Sequence, residues 1–160
     1  MNIKIIDDVF SLEERNVIWN TCITSDYKYG EADTTGGHPT GVVCDMDTSS
    51  ITSAIILNKI KGLVEYSNVY RMFINCFAPY ENPIFHRDCE EDDSKLSIIY
   101  YPRHSYDIED GGETQFLNSD DTVFGVMPKP NRIVIFDSNL IHKATSHKSK
   151  HKFTIVIKVG

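Results

Sequence analysis

The sequence predicts a mainly β protein of jelly-roll type with flanking helices, and three observations carry that expectation. From residue 69 onward, short apolar runs alternate with breaks rich in Gly, Pro and Asp, the pattern of a sandwich or barrel made of many short strands. Two helix-length segments precede these runs, so the helices should pack on one face of the major sheet. Neither a repeat nor a shift in composition divides the 160 residues, of which 41% are hydrophobic. One domain spanning 1–160 with a single core is therefore expected.

Each element has its own signal. Residues 3–6 form a short β-like run. Ser11 and Glu14 have the spacing of a capping box and should open a helix to about Cys22, with Leu12, Val17, Ile18 and Trp19 supplying apolar contacts. Residues 27–41 hold four glycines and a proline. They read as a long loop of the kind that serves as a lid or substrate-binding segment, with Tyr29 and His38 as candidate substrate contacts. Thr48 or Ser49 should cap a second helix, whose stripe is Ile51, Ile55, Ile56, Ile60, Leu63 and Val64. Gly62 weakens its last turn. Strands are expected over 69–77, 84–88, 95–101, 113–117, 123–127, 133–136 and 153–159. The turn at 78–83, the acidic loop at 90–94, read as solvated, and the 102–112 loop ending in Gly111-Gly112 separate them.

Charge and composition narrow the partners. The net charge is −7, from 23 acidic and 16 basic residues, which removes the electrostatic footprint of a nucleic-acid binder. No run is long enough for a membrane span, and the short, soon acidic N-terminal stretch is not expected to act as a secretory leader. The four cysteines show no paired spacing, as expected of reduced thiols in a cytoplasm. Nothing in the sequence indicates an oligomeric state.

The chemistry concentrates in Phe85-His86-Arg87-Asp88 and in His142. On a strand, His86 and Asp88 project to one face. With one remote His they make a two-His, one-carboxylate set, which suits Fe(II) and leaves coordination positions open. His147 and His151 compete with His142, but His142 directly follows an apolar strand and its extension at Leu140-Ile141, whereas His147 lies in a polar stretch. His104 has no partner by spacing. Lys152 opens the last strand; antiparallel pairing would return it beside the metal strand, where a buried cation needs an anion. Arg71 and Asn75 share a strand face with Phe73 and Phe77.

His-x-Asp at 86–88, Gly-Gly-Glu-Thr at 111–114, a distal His142 and a basic residue ten positions later, in that order, resemble the 2-oxoglutarate- and Fe(II)-dependent oxygenases. The closest branch is the prolyl 4-hydroxylase-like one, including small phage and bacterial forms. The resemblance spans roughly residues 69–160. It implies the double-stranded β-helix version of the jelly roll, with His86, Asp88 and His142 on Fe(II). It also implies 2-oxoglutarate as cosubstrate, O2 as oxidant and ascorbate as a candidate reductant. Lys152 would take the distal carboxylate of the cosubstrate, with Tyr101 beside it, Tyr100 being the alternative because strand neighbours face opposite ways. Thr154 shares the parity of Lys152, and Asn75 could reach the cosubstrate. Arg71, Tyr29 and His38 would meet the primary substrate. That substrate would be a prolyl residue in a peptide or protein, with a free amino acid or a nucleotide as alternatives, and the location a cytoplasm, the host's if the gene is phage-borne. The rival class is a non-oxygenase cupin-like metal protein, an isomerase or binding module, which would not need Lys152.

Overall fold

A computed structural model of the chain describes residues 2–34, 37–89 and 95–160. Its elements are β1 (Ile3–Ile6), α1 (Leu12–Thr24), β2 (Val42–Asp45), α2 (Ile51–Lys61), β3 (Val69–Phe77), β4 (Leu96–Tyr101), β5 (Thr114–Leu117), β6 (Val123–Val126), β7 (Arg132–Asp137), β8 (His142–Ala144) and β9 (Lys152–Val159). A single 3-10 turn, Ile108–Asp110, interrupts the loop before β5. Among the described residues, no helix is long and apolar enough to cross a membrane.

Ser11 and Glu14 close the capping box in both directions, at 3.2 and 2.8 Å. The expected apolar face of α1 is only partly right. Ile18 and Cys22 are buried, but Leu12 and Val17 are exposed, because they lie on the solvent side of the turn that carries Ile18. Trp19 packs edge-on against Phe153. The second helix is capped by Ser50, not by Thr48 or Ser49. The reason is local: the amide and hydroxyl of Ser49 both donate to Asp47 Oδ1, at 2.8 and 2.7 Å, which leaves Ser50 Oγ to accept from the Ser53 amide. Ile56 and Ile60 are fully buried as expected, while Ile51 is exposed and Thr52 and Ser53 take the inner face. Thr52 is satisfied there by Thr21, Oγ1 to Oγ1 at 2.7 Å.

The strands form a six-stranded sheet, β1-β7-β4-β9-β3-β2, and a three-stranded sheet, β6-β5-β8. All pairings are antiparallel. Alternation sends successive side chains of the large sheet to two different clusters. Met72, Ile74, Ile98, Tyr100, Ile133, Ile155 and Ile157 share one with Ile18, Cys22, Ile56 and Ile60 of the helices. Phe73, Ile99, Tyr101, Val134, Phe136 and Val156 share the other with Phe116 and Val126 of the small sheet. The large sheet therefore has helices on one face and the small sheet on the other.

Three expectations are corrected. Residues 84–88 are not a strand: His86 makes one isolated bridge to His142. His142 does not extend the strand 133–136. The chain turns after Asp137, where the Leu140 amide bonds the Asp137 carbonyl at 2.9 Å, and His142 opens β8 in the other sheet. The short strands β2 and β8 were not expected at all. The acidic loop 90–94 and residues 35–36 lie outside the described residues.

Candidate functional site

An isolated bridge from the 84–88 segment to β8 brings His86 and His142 face to face. Their main chains exchange two hydrogen bonds, 2.9 and 3.0 Å, and the rings lie 4.6 Å apart, centroid to centroid. Each imidazole points Nδ1 at the carbonyl two residues earlier: His86 to Ile84 O at 3.1 Å, His142 to Leu140 O at 2.8 Å. A carbonyl only accepts, so both Nδ1 atoms carry the proton and both Nε2 lone pairs are free. The Nε2 atoms converge on Asp88, His86 on Oδ1 at 3.7 Å and His142 on Oδ2 at 3.6 Å. The three residues offer ligand atoms within 4.8 Å of one another. That donor set fits a divalent iron with one face left open.

Asp88 is held from both sides. Ser97 Oγ donates to Oδ2 at 2.6 Å and is itself 2.8 Å from Ser138 Oγ. Lys158 Nζ lies 2.8 Å from Oδ1. Ser97 and Lys158 are register partners on β4 and β9, so two adjacent strands clamp one carboxylate. Burial pushes the Asp88 carboxyl up, but His142, Lys158 and Ser97 outweigh it and the group stays below its ordinary value. Burial likewise keeps the His142 imidazole below its ordinary value, against the opposing pull of Asp88. A charged carboxylate beside a neutral imidazole is the protonation state a metal needs.

A cavity of about 330 Å³ opens on this group. Asn75 and Thr154, register partners across β3 and β9, both line it, as does Arg71. Tyr101 is buried on the cavity side of β4, whereas Tyr100 faces the helices, which separates the two alternatives. The Tyr101 hydroxyl lies 2.7 Å from Thr114 Oγ1, and it is Thr114 that reaches the cavity wall. Lys152 is not among the lining residues. It pairs with Phe77 on β3, is only 1% exposed, and donates Nζ to Thr145 O at 2.9 Å, with its ammonium 5.8 Å from the Tyr101 ring centre. Burial brings its pKa down to about 7, against the opposing charge of Glu113. Tyr29 and His38 are exposed and do not line the cavity; their loop contributes Glu31, Ala32, Asp33 and Thr40 instead. Neither His147 nor His151 joins the ligand group. His147 is buried behind Gly112, not in a solvated loop.

The sequence singles out neither Ser97, Ser138, Lys158, Glu31 nor Asp33, and Thr114 enters it only as the last residue of the Gly-Gly-Glu-Thr motif. Lys158 had a signal, since it shares the parity of Lys152 and Thr154 on one strand. The serines had none, because a buried hydroxyl has no spacing rule.

A profile of the 2OG-Fe(II) oxygenase superfamily matches residues 73–157, more than half of the chain. The chain belongs to that superfamily. The matched stretch contains His86, Asp88, His142 and Lys152. Enzymes of this superfamily use Fe(II), 2-oxoglutarate and O2, and so does this oxygenase. A sequence search of curated proteins returns no match. Among solved structures, a Pseudomonas putida prolyl-4-hydroxylase superposes with a TM-score of 0.75 at 13% identity, covering 98% of this chain and 91% of that one. A Trichoplax adhaerens prolyl hydroxylase in complex with a hypoxia inducible factor oxygen degradation domain peptide fragment gives 0.76 at 13% identity, covering 98% and 82%. HygX from Streptomyces hygroscopicus, with nickel, 2-oxoglutarate and hygromycin B bound, gives 0.73 at 10% identity, covering 99% and 82%. These likenesses establish the double-stranded β-helix fold of this oxygenase.

Proposed function

We propose that this oxygenase hydroxylates a prolyl residue of a peptide or protein, with succinate and CO2 as co-products, and that residues 1–160 act as one domain. The observation that carries the reading is the convergence of two tautomer-fixed imidazoles and one clamped carboxylate on a single point. His86, Asp88 and His142 would hold the iron. Iron in such a site supplies the oxidising chemistry that couples loss of CO2 from 2-oxoglutarate to insertion of oxygen into a C–H bond. The chain's own residues bind, orient and exclude water.

Lys152, Tyr101, Thr154 and Asn75 are assigned to the cosubstrate. Lys152 is a buried cation which, among the described residues, meets the charge of Glu113, the Thr145 carbonyl and the Tyr101 ring, so a carboxylate from the cosubstrate would complete its pairing. Thr114, hydrogen bonded to Tyr101, extends that corner to the cavity wall. The prolyl specificity is favoured by the fold shared with two prolyl hydroxylases, one of them bound to a peptide. A small polar molecule is the second reading, favoured by the charged cavity rim at Glu31, Asp33 and Arg71 and by the aminoglycoside bound to HygX. The four free cysteines suit a reducing compartment, which supports a cytoplasmic location.

The test is mass spectrometry of proline-containing peptides incubated with Fe(II), 2-oxoglutarate and the protein. A gain of one oxygen on proline is expected, in step with succinate. Succinate release that no peptide stimulates, alongside oxidation of a free amino acid or nucleotide, would overturn the prolyl reading.

A further inference from the structure

Arg71 and Lys158 stand directly opposite each other on β3 and β9. Like charges in that relation repel unless an anion lies between them. Both cations lie over the ring of Phe73, at 4.3 and 5.8 Å from its centre, and both line the cavity. Lys158 reaches Asp88. Arg71 carries two carboxylates. Asp45, on the neighbouring strand β2, takes Nε at 2.8 Å. Glu31 takes the two terminal nitrogens, one oxygen each, at 2.5 and 2.7 Å.

The two partners of Arg71 are not equivalent. Asp45 belongs to the sheet, whereas Glu31 comes from the 27–41 loop, whose described residues add one isolated bridge, Lys28 to Val43, and are tied further by the Ile84 amide on Asp33 and the Gly41 amide on Glu81. Glu31 is 42% exposed, so water and an entering anion have access to the pair it makes. Its end-on, two-point contact is the geometry by which a guanidinium receives any carboxylate. This corner is also distinct from the one assigned to the cosubstrate. Lys152 and Lys158 are six residues apart on β9, about 20 Å at the rise of a strand.

We propose that the Arg71 fork, backed by Lys158, is a carboxylate subsite for the primary substrate, and that Glu31 is its resident occupant, displaced when substrate enters. The substrate class is then a carboxylate-bearing molecule. If the prolyl reading above holds, on which this form rests, it is a peptide with an acidic residue close to the proline. Arg71 selects the substrate by charge and Glu31 excludes neutral competitors, since a neutral group gives the fork nothing in exchange for the carboxylate it loses.

The experiment uses the full chain loaded with Mn(II) in place of iron and saturated with 2-oxoglutarate, so that binding is read without turnover. Short proline-centred peptides carrying one Glu, scanned through the flanking positions, are each compared with the Gln counterpart. At one position Glu should bind about tenfold tighter than Gln. Glu31→Gln should enlarge that preference, and Arg71→Gln should erase it. Glu31→Gln changes only an exposed loop side chain, so it reads the subsite even if Arg71→Gln fails to fold. Equal binding of Glu and Gln peptides at every position, in wild type and in Glu31→Gln, would overturn the proposal. If no peptide binds but free glutamate or aspartate does, better than glutamine or asparagine and only with Arg71 present, the subsite stands and the prolyl reading falls. If none of these acids binds better than its amide, the subsite falls whatever becomes of the prolyl reading.

Discussion

A methyl group added at Gly112 would sit 2.6 Å from His147 Nδ1, on a backbone with φ of +86°. Both the left-handed conformation and the ring contact forbid a side chain there. Gly112→Ala should therefore lose at least ~2 kcal/mol in denaturant unfolding, and His147→Ala in the same chain should recover the steric part, as a double-mutant cycle would show. The glycine pair was legible as a turn, but its partner was not, because nothing in a polar stretch announces a buried imidazole. Lys152 gives a second prediction at this scale. Its folded pKa is about 7 and its ordinary value 10.5. Between those values the unfolded chain holds a proton that the folded chain lacks, so stability rises with pH across that window, and the penalty is full below about pH 7. Lys152→Met should thus be more stable than wild type at pH 6, by a few kcal/mol at most, with the difference shrinking towards pH 10. The same variant should bind 2-oxoglutarate far more weakly. Thermal melts across pH and a cosubstrate titration measure the two effects. A variant less stable at pH 6 would contradict the assignment of a strained ammonium.

The segment carrying His86 and Asp88 shows what one element can and cannot reveal. His86 and Asp88 were legible as candidate ligands from residue type and spacing, yet the segment is no strand. One bridge to His142 and the Asp88 amide on Ser138 O at 2.8 Å do the work expected of a ladder. Strands β2 and β8, of four and three residues, are too short to show a period, and tertiary pairing creates them. On β4 Tyr101 had a signal in the sequence, while Ser97 on the same face, which donates to the Asp88 carboxylate, had none. Ser97→Ala removes a donor to Asp88 Oδ2 and the partner of the Ser138 hydroxyl. Metal affinity should fall ~10-fold or more, measured by titrating the stripped protein with Mn(II), and unfolding of the stripped protein by denaturant should show a loss of about 1–3 kcal/mol for the buried groups left without a partner. Unchanged affinity would mean that Lys158 alone orients the carboxylate. In α1 the failure has the opposite cause: Leu12 and Val17 are apolar but exposed, and hydrophobicity alone does not fix which way a helix is turned.

Across the whole molecule, the layer order was readable from the sequence. Helices ahead of many short strands gave the expectation, and the two buried clusters on either face of the large sheet match it. What the sequence withheld is which loop walls the cavity and with what. Residues 27–41 were expected near the substrate through Tyr29 and His38, but an exposed ring and an exposed imidazole contribute nothing to the wall, whereas Glu31 and Asp33 do. Charged residues in a loop read as solvated surface, so their inward use leaves no trace in composition.

The ligand group straddles the two layers. Asp88 is gripped by Ser97 and Lys158 of the large sheet, while His142 begins a strand of the small one. A bound cation would act as a rivet through the sandwich, and holding it would shift the folding equilibrium by mass action. Treatment with a chelator should lower the melting temperature, and add-back of Mn(II) should restore it without any oxygen or cosubstrate. Iron supply would then govern how long each copy survives proteolysis as well as how fast it works.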